Sequence, residues 1–209
     1  ESKIRKYNSC LEASLKPNKI PVEVYKNVVN TVNKRIDSLH RYVELKKKLL
    51  NLDEIHMYDL YVPIIDAPKF NIAFEEGVAL CEKALEPMGK EYIDIFSKGV
   101  KEGWIDVYEN KGKRGGAYSS GSYTSMPYIL LNYKNQVNDV STLIHEMGHS
   151  IHSYYSRNNQ PYTYADYELF CAEVGSTTNE CLLIDYLIKN EKDKAKRLYL
   201  INKQLEGIR

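Results

Sequence analysis

The sequence predicts a mainly α-helical protein with a small antiparallel β-sheet. Three features predict it. Apolar residues recur with a period near 3.6 through Val22–Leu50, Ala73–Phe96 and Glu168–Asn190, as in helices with one buried face. Trp104–Tyr133 breaks that habit, with an alternating start, glycine-rich turns and the β-forming run PYILLNY. With 209 residues, 43% of them hydrophobic and 27% charged, the chain can bury one good core, or one core plus a helical appendage. The expected division is a helical region, residues 1–65, followed by a second region, residues 66–209, that carries the chemistry.

In chain order, a short helix is expected from Glu1 to about Leu15, with Ile4, Tyr7, Leu11 and Leu15 on one side. KPNKIP breaks it, and Pro21 can open the next helix. That helix is long and amphipathic. Val22, Tyr25, Val28, Val29, Val32, Ile36 and Leu39 lie on its apolar side, and Lys34, Arg35, Arg41, Lys46, Lys47 and Lys48 on a solvated face. Asn51–Pro68 loses the period and reads as a connection with a short extended piece, in which the isolated His56 is structural. Helix returns over Asn71–Lys101, with Ala73, Val78, Leu80, Cys81, Leu85, Met88, Tyr92, Ile95 and Phe96 buried. Pro87 should kink or divide it, and Gly99 and Gly103 should mark its end. The sheet then stops before Asn138 or Asp139, either of which can cap the next helix. Tyr154–Tyr167 reads as a polar, tyrosine-rich loop leading to a helix over Glu168–Asn190.

The net charge of +1 gives no general attraction to nucleic acid or to an anionic membrane. No stretch approaches the ~20 apolar residues that span a bilayer, and ESKIRKYNS lacks the apolar run of a signal peptide. Cys10, Cys81, Cys171 and Cys181 form no C-x-x-C pair, so free, buried thiols in a reducing cytoplasm are expected.

The chemistry concentrates in TLIHEMGHSIHS, Thr142–Ser153, which holds three of the five histidines within eight positions. A four-residue step on a helix places His145 and His149 on one face, one turn apart. Glu146 lies on the adjacent flank, completing H-E-x-x-H, in which two neutral imidazoles hold one zinc ion and the glutamate is general base to the water it activates. Leu143, Ile144, Met147 and Ile151 indicate that this helix is buried. His152 shares the face but lies about 10.5 Å from His145 along the axis, too far for one ion bound at ~2 Å per ligand. It is expected behind the ligands or in the core.

The extended H-E-x-x-H-x-x-G-x-x-H pattern is excluded, because positions 152 and 155 hold His152 and Tyr155. The third ligand must come from elsewhere, as a carboxylate or a cysteine. Glu173 on the last of these helices is the best candidate, ahead of Asp166, Glu168 and Asp185, while Cys171 reads as core. Glu180, two turns on, could orient a ligand histidine through its second ring nitrogen. Ala172, Gly175 and Ser176 are small enough for another helix to come close. A sheet edge beside the metal-bearing helix could bind an extended peptide, with Gly115, Gly116, Ala117 and Ser119 leaving room for its backbone; the same segment also reads as a solvent-exposed hairpin.

HEMGHSIH followed by AEVGSTTNE resembles the M3 family of zinc peptidases, its oligoendopeptidase F branch in particular. RKYNSCLEASL, LDEIHMYDLYVP, KGKRGGAYSSGSYTSMPYILLNY and NDVSTLIHEMGHS extend the resemblance over nearly the whole chain. It implies a zincin-like, mostly helical metallopeptidase that cuts short peptides in a deep channel. It also implies that His145, His149 and Glu173 bind zinc, that Glu146 activates water, that Glu180 backs a ligand, and that Gly116, Ala117 and Tyr118 line the substrate cleft. Chains of the family run to about 600 residues and carry, further on, the His and Tyr residues that stabilise the tetrahedral intermediate. The chain therefore reads as an internal segment, with oligopeptides and the missing parts of the same enzyme as partners and little or no turnover alone. The rival readings are a non-catalytic peptide-binding module with structural zinc and a metal-free structural fragment.

Overall fold

Pro17, Pro21 and Pro87 fall outside the α-helices in the computed structural model, which describes residues 1–65, 68 and 70–208. Helix α1, Cys10–Leu15, is shorter than expected because Ser9 caps it, its hydroxyl accepting the Glu12 N–H at 3.0 Å, while the Glu12 carboxylate accepts the Asn8 N–H at 2.7 Å. Residues 1–8 form turns instead. After a 3-10 turn at Lys16–Asn18, Pro21 stands in extended conformation as the cap of α2, Val22–Leu49.

The described residues form two compact units, residues 1–66 with 205–209, and residues 67–204. The expected boundary at 65/66 meets Asp66 and Ala67, which with Lys69 and Arg209 lie outside the described residues. In the first unit the apolar stripe of α2 is exposed at Tyr25, Val28, Val29, Val32, Ile36 and Leu39, and the buried residue of that helix is Lys46. Lys46 therefore does not belong to the solvated face that the sequence predicts for it. Its ammonium is 2% exposed and is satisfied by the Leu60 carbonyl at 2.5 Å and the Glu206 carboxylate at 3.0 Å, which is what makes burial of the charge tolerable. In the connection after α2, the extended piece is replaced by a 3-10 turn, Met57–Tyr61. His56 caps that turn, its N–H bonded to the Asp59 carboxylate at 2.8 Å and its ring stacked on Tyr58.

In the second unit, α3 (Phe74–Ala84) and α4 (Lys90–Lys101) are separated by a 3-10 turn containing Pro87. Ala73 and Met88 are exposed, outside the core they were assigned to. Gly99 does not end α4: it lies inside the helix, where an added Cβ would stand 2.6 Å from the Trp104 ring that folds back over it. Strands β1 (Ile105–Asp106), β2 (Tyr118–Ser120) and β3 (Tyr128–Leu130) form a sheet in the order β1-β3-β2. The β2/β3 pair is antiparallel as expected, whereas β1/β3 is parallel, because the connection after β1 carries the chain past the slot that β3 later fills. The sheet is therefore mixed, and β2 is an edge strand.

Helix α5, Val137–Asn159, starts from Gln136, earlier than Asn138 or Asp139. Asp139 still performs the cap from the third position, its carboxylate accepting the Lys134 and Gln136 N–H groups at 2.8 Å each. The helix also runs past Tyr154 and Tyr155, which pack against the core, so the expected loop shrinks and holds a 3-10 turn at Tyr162–Tyr164. Helix α6, Leu169–Asn190, follows as expected, and α7, Lys194–Ile208, was not anticipated. Its apolar pattern is weak, with Leu200 its buried residue. Of the thiols only Cys81 is buried; Cys10, Cys171 and Cys181 are exposed, and all four are free. Among the described residues no helix is long and apolar enough to cross a membrane.

The core joins Phe96, Trp104, Ile129, Leu131, Leu143, Ile144, Met147, Ile151 and Leu183. Helices α5 and α6 meet within it at Gly148 and Ser176. A Cβ on Gly148 would lie 2.6 Å from the Ser176 Cα and 2.9 Å from its nitrogen, so only glycine allows this backbone-to-backbone approach. Alanine would gain up to about 1 kcal/mol of helix propensity, but relieving the clash moves one helix against the other, at a cost of about 1–3 kcal/mol. Gly148→Ala should therefore lower stability in urea unfolding and weaken metal uptake together; an unchanged midpoint and affinity would count against the crossing as the constraint.

Candidate metal centre

His145 and His149 project from one face of α5, one turn apart, with their Nε2 atoms 3.2 Å from each other. Glu173, on the second turn of α6, brings its Oε2 to 3.5 Å from each of those nitrogens. Among the described residues these three form the one His/Cys/Asp/Glu group able to hold a metal ion, all donor atoms within 4.8 Å of one another. Two donors bound at 2.0–2.1 Å to one tetrahedral ion stand about 3.3–3.4 Å apart. Separations of 3.2, 3.5 and 3.5 Å fit that requirement without rearrangement. Three protein donors leave a fourth tetrahedral position free.

Two of the three donor side chains have a hydrogen-bond partner that orients them. Glu180 lies two turns further along the same face of α6, its Oε1 2.5 Å from the His145 Nδ1. That hydrogen bond is the main reason the His145 pKa rises above 6.5, against the opposing effect of burial. With Nδ1–H donating to the carboxylate, the Nε2 lone pair is directed at the other donors. The Ser176 hydroxyl donates to Glu173 Oε2 at 2.8 Å. Glu146 is buried on the neighbouring flank, and burial raises its pKa, while His145, His149 and the Ser119 backbone N–H draw it down. The Ser119 and Ser150 hydroxyls are 2.8 Å apart and tie β2 to α5 at this point.

His152 is outside the donor set. Its ring stacks on Tyr167, centroids 3.6 Å apart, and burial lowers its pKa. Tyr167 in turn lies 2.9 Å from the Ser153 hydroxyl and reaches the His149 carbonyl at 3.5 Å. Of the weaker carboxylates, Glu168 precedes the first turn of α6, Asp185 pairs with Lys189, and Asp166 is exposed beside the His149 side of the site. Cys171 is exposed and is not among the donors.

Gly116 and Ala117 line a cavity of ≈ 770 Å³ with Asn132, Asp139 and Thr142. Asn132 Nδ2 fixes its rim through the Arg114 and Gly116 carbonyls, both at 2.9 Å. Tyr118, the third residue expected there, opens β2 with its ring exposed. A second cavity, of ≈ 440 Å³, is lined by Ser119, Ser120, Gly121, His149, Ser153 and Arg157, among others. Strand β2 thus leads from one cavity to the other, past Glu146.

Sequence reasoning passed over Asn179. It is fully buried, donates through Nδ2 to the Ile144 carbonyl at 3.1 Å, and accepts the Tyr92 hydroxyl at 3.0 Å. A polar residue beside Glu180 on a helix packed against the histidine helix was the available signal. Gly148, between the two histidines, was a second one.

The sequence model of Peptidase family M3 matches residues 1–209. The chain is 52% identical over 208 residues to oligopeptidase PepF of Bacillus subtilis (strain 168), covering 100% of this chain and 31% of that protein. It is 44% identical over 210 residues to an oligoendopeptidase F homolog of Lactococcus lactis subsp. lactis (strain IL1403), covering 100% and 35%. Among solved structures, the oligoendopeptidase-F of Enterococcus faecium aligns with a TM-score of 0.64 at 35% identity, covering 99% of this chain and 29% of that one. A protein of Chlamydophila abortus aligns with a TM-score of 0.91 at 44% identity, covering 99% and 35%. The chain spans about a third of the length of the curated relatives it matches. On the match over its whole length, with the histidines and Glu173 brought together as described, the chain belongs to Peptidase family M3.

Proposed function

We propose that this chain is the metal-holding part of a zinc-dependent endopeptidase that hydrolyses short oligopeptides. The observation that carries the reading is the spacing of His145, His149 and Glu173, three donors at tetrahedral-ligand separations with the buried Glu146 beside them. These three residues would hold one zinc ion, which when bound supplies Lewis acidity, polarising a carbonyl and making water a better nucleophile at neutral pH. Glu146 takes the proton of the attacking water and passes it to the leaving amine, and burial prepares it by making the carboxyl a readier proton carrier than an exposed one. Glu180 keeps the His145 ring in the orientation and tautomer the ligand role needs. The edge of β2, with Gly116, Ala117 and Tyr118 before and within it, offers main-chain groups to an extended peptide.

In this reading residues 1–65 are a helical region and residues 66–209 the catalytic region. The four unbridged cysteines fit a reducing cytoplasm. The relatives are about three times as long, and the chain is proposed to work with the remainder of such an enzyme, with weak or no turnover by itself. The rival, a peptide-binding module with structural zinc, calls for a fourth protein ligand, and the donor group among the described residues has three.

Metal analysis of the purified chain should give one zinc per molecule at neutral pH. His145→Ala, His149→Ala and Glu173→Ala should each lose it, whereas Glu146→Gln should retain it and abolish cleavage in an enzyme containing this segment. A chain that never takes up stoichiometric zinc sinks the reading, and loss of metal in Glu146→Gln would make that residue structural.

The raised His145 pKa gives a second test. In the metal-free protein the ring should titrate above 6.5 by NMR, and Glu180→Gln should bring the value down. The sign follows from linkage: the folded value exceeds the unfolded one, so this stabilisation is fully present below the unfolded pKa and fades as pH rises through the folded value. The metal-free protein should thus lose that contribution on the alkaline side, and Glu180→Gln should flatten the dependence.

A further inference from the structure

Arg157 lies eight residues after His149 on α5 and, among the described residues, contributes the only Lys or Arg side chain to the ≈ 440 Å³ cavity that reaches His149 and the β2 edge at Ser119 and Ser120. Its Nη2 donates to the Gly121 carbonyl at 3.2 Å, while its Nη1 is enclosed and has no hydrogen-bond partner. Among the described residues no carboxylate comes within 4.0 Å of the guanidinium; Asp166, in the same cavity, is exposed and outside that distance. The backbone makes room for this charge. Gly121 has φ +151, and a Cβ there would stand 2.7 Å from Nη1. The side chain is only partly buried and lines the cavity, its charge unpaired, and a carboxylate entering that cavity is the group whose geometry best matches a guanidinium.

We propose that Arg157 is a specificity-determining residue that takes a carboxylate of the bound peptide in the cavity beside His149. The proposal rests on the peptidase reading above. Eight residues of helix separate the two side chains by about 12 Å along the axis, the span of roughly three to four residues of extended peptide. The carboxylate recognised is therefore about three residues from the bond to be cut, supplied either by an acidic side chain or by a free C-terminus.

The test uses a zinc-loaded enzyme that contains this segment and carries Glu146→Gln, so that peptides bind without turnover, and fluorescence anisotropy at low salt. The probes are labelled octapeptides that differ at one point: Glu or Gln three residues before or after the central bond, and a free or amidated C-terminus at the same distance. In at least one pair the acidic member should bind about tenfold tighter. Added Arg157→Gln should erase the difference, Arg157→Lys should keep part of it, and rising salt should shrink it. Which pair shows the effect tells a side-chain carboxylate from a terminal one. Equal binding of acidic and neutral peptides overturns the proposal, as does an undiminished preference in a folded Arg157→Gln protein, leaving Arg157 as a tie between α5 and the turn after β2. Should the Gln variant not fold, an undiminished preference in Arg157→Lys overturns it equally. Failure of every peptide to bind rejects the peptidase reading itself, and this proposal with it.

Discussion

The approach of α5 to α6 at Gly148 and Ser176 is the constraint on which the site depends. The two histidines are fixed to one another by helical geometry alone, since residues four apart on a regular helix keep their spacing whatever surrounds them. Glu173 and Glu180 share no such bond with them. Their placement on the imidazoles is set by how close, and at what register, one helix rests on the other. Gly148 lies between the two histidines and Ser176 between the two glutamates, so this backbone approach falls among the residues it brings together.

Around that contact polar groups are arranged in pairs that hold the site residues in place. Glu180 occupies one nitrogen of His145, Ser176 occupies one oxygen of Glu173, and Ser119 and Ser150 connect the edge strand to the helix. Glu180 takes up the nitrogen that His145 does not turn toward the other donors, and Ser176 steadies the Glu173 oxygen that faces both imidazoles, which is how a ring or a carboxylate is held in one orientation inside a protein. Strand β2 then passes Glu146 with its outer edge unpaired by any other strand of the sheet.

Much of this could be read from the chain because helices announce themselves through periodicity, and α2, α3, α4 and α6 lie close to where their apolar patterns put them. The facing of His145 and His149 needed only the helical repeat, and the shared face of Glu173 and Glu180 followed from their seven-residue spacing. What escaped depended on tertiary neighbours. Lys46 looks like any surface lysine until Glu206 and the Leu60 carbonyl are placed beside it. Gly99 has the appearance of a helix stop because nothing local reveals that Trp104 returns over it. The parallel pairing of β1 with β3 is equally invisible in strands of two and three residues, whose partners are chosen by the path of the connection.

Asn179 carries a consequence for how the site behaves under stress. Its fully buried side chain links the backbone of α5 at Ile144 to the Tyr92 hydroxyl on α4. Three helices are thereby latched at the residue immediately before the first imidazole. Such a latch couples fine alignment to bulk cohesion: the rings cannot drift while the middle of the bundle is intact, and once it softens they are among the first groups to lose their aim.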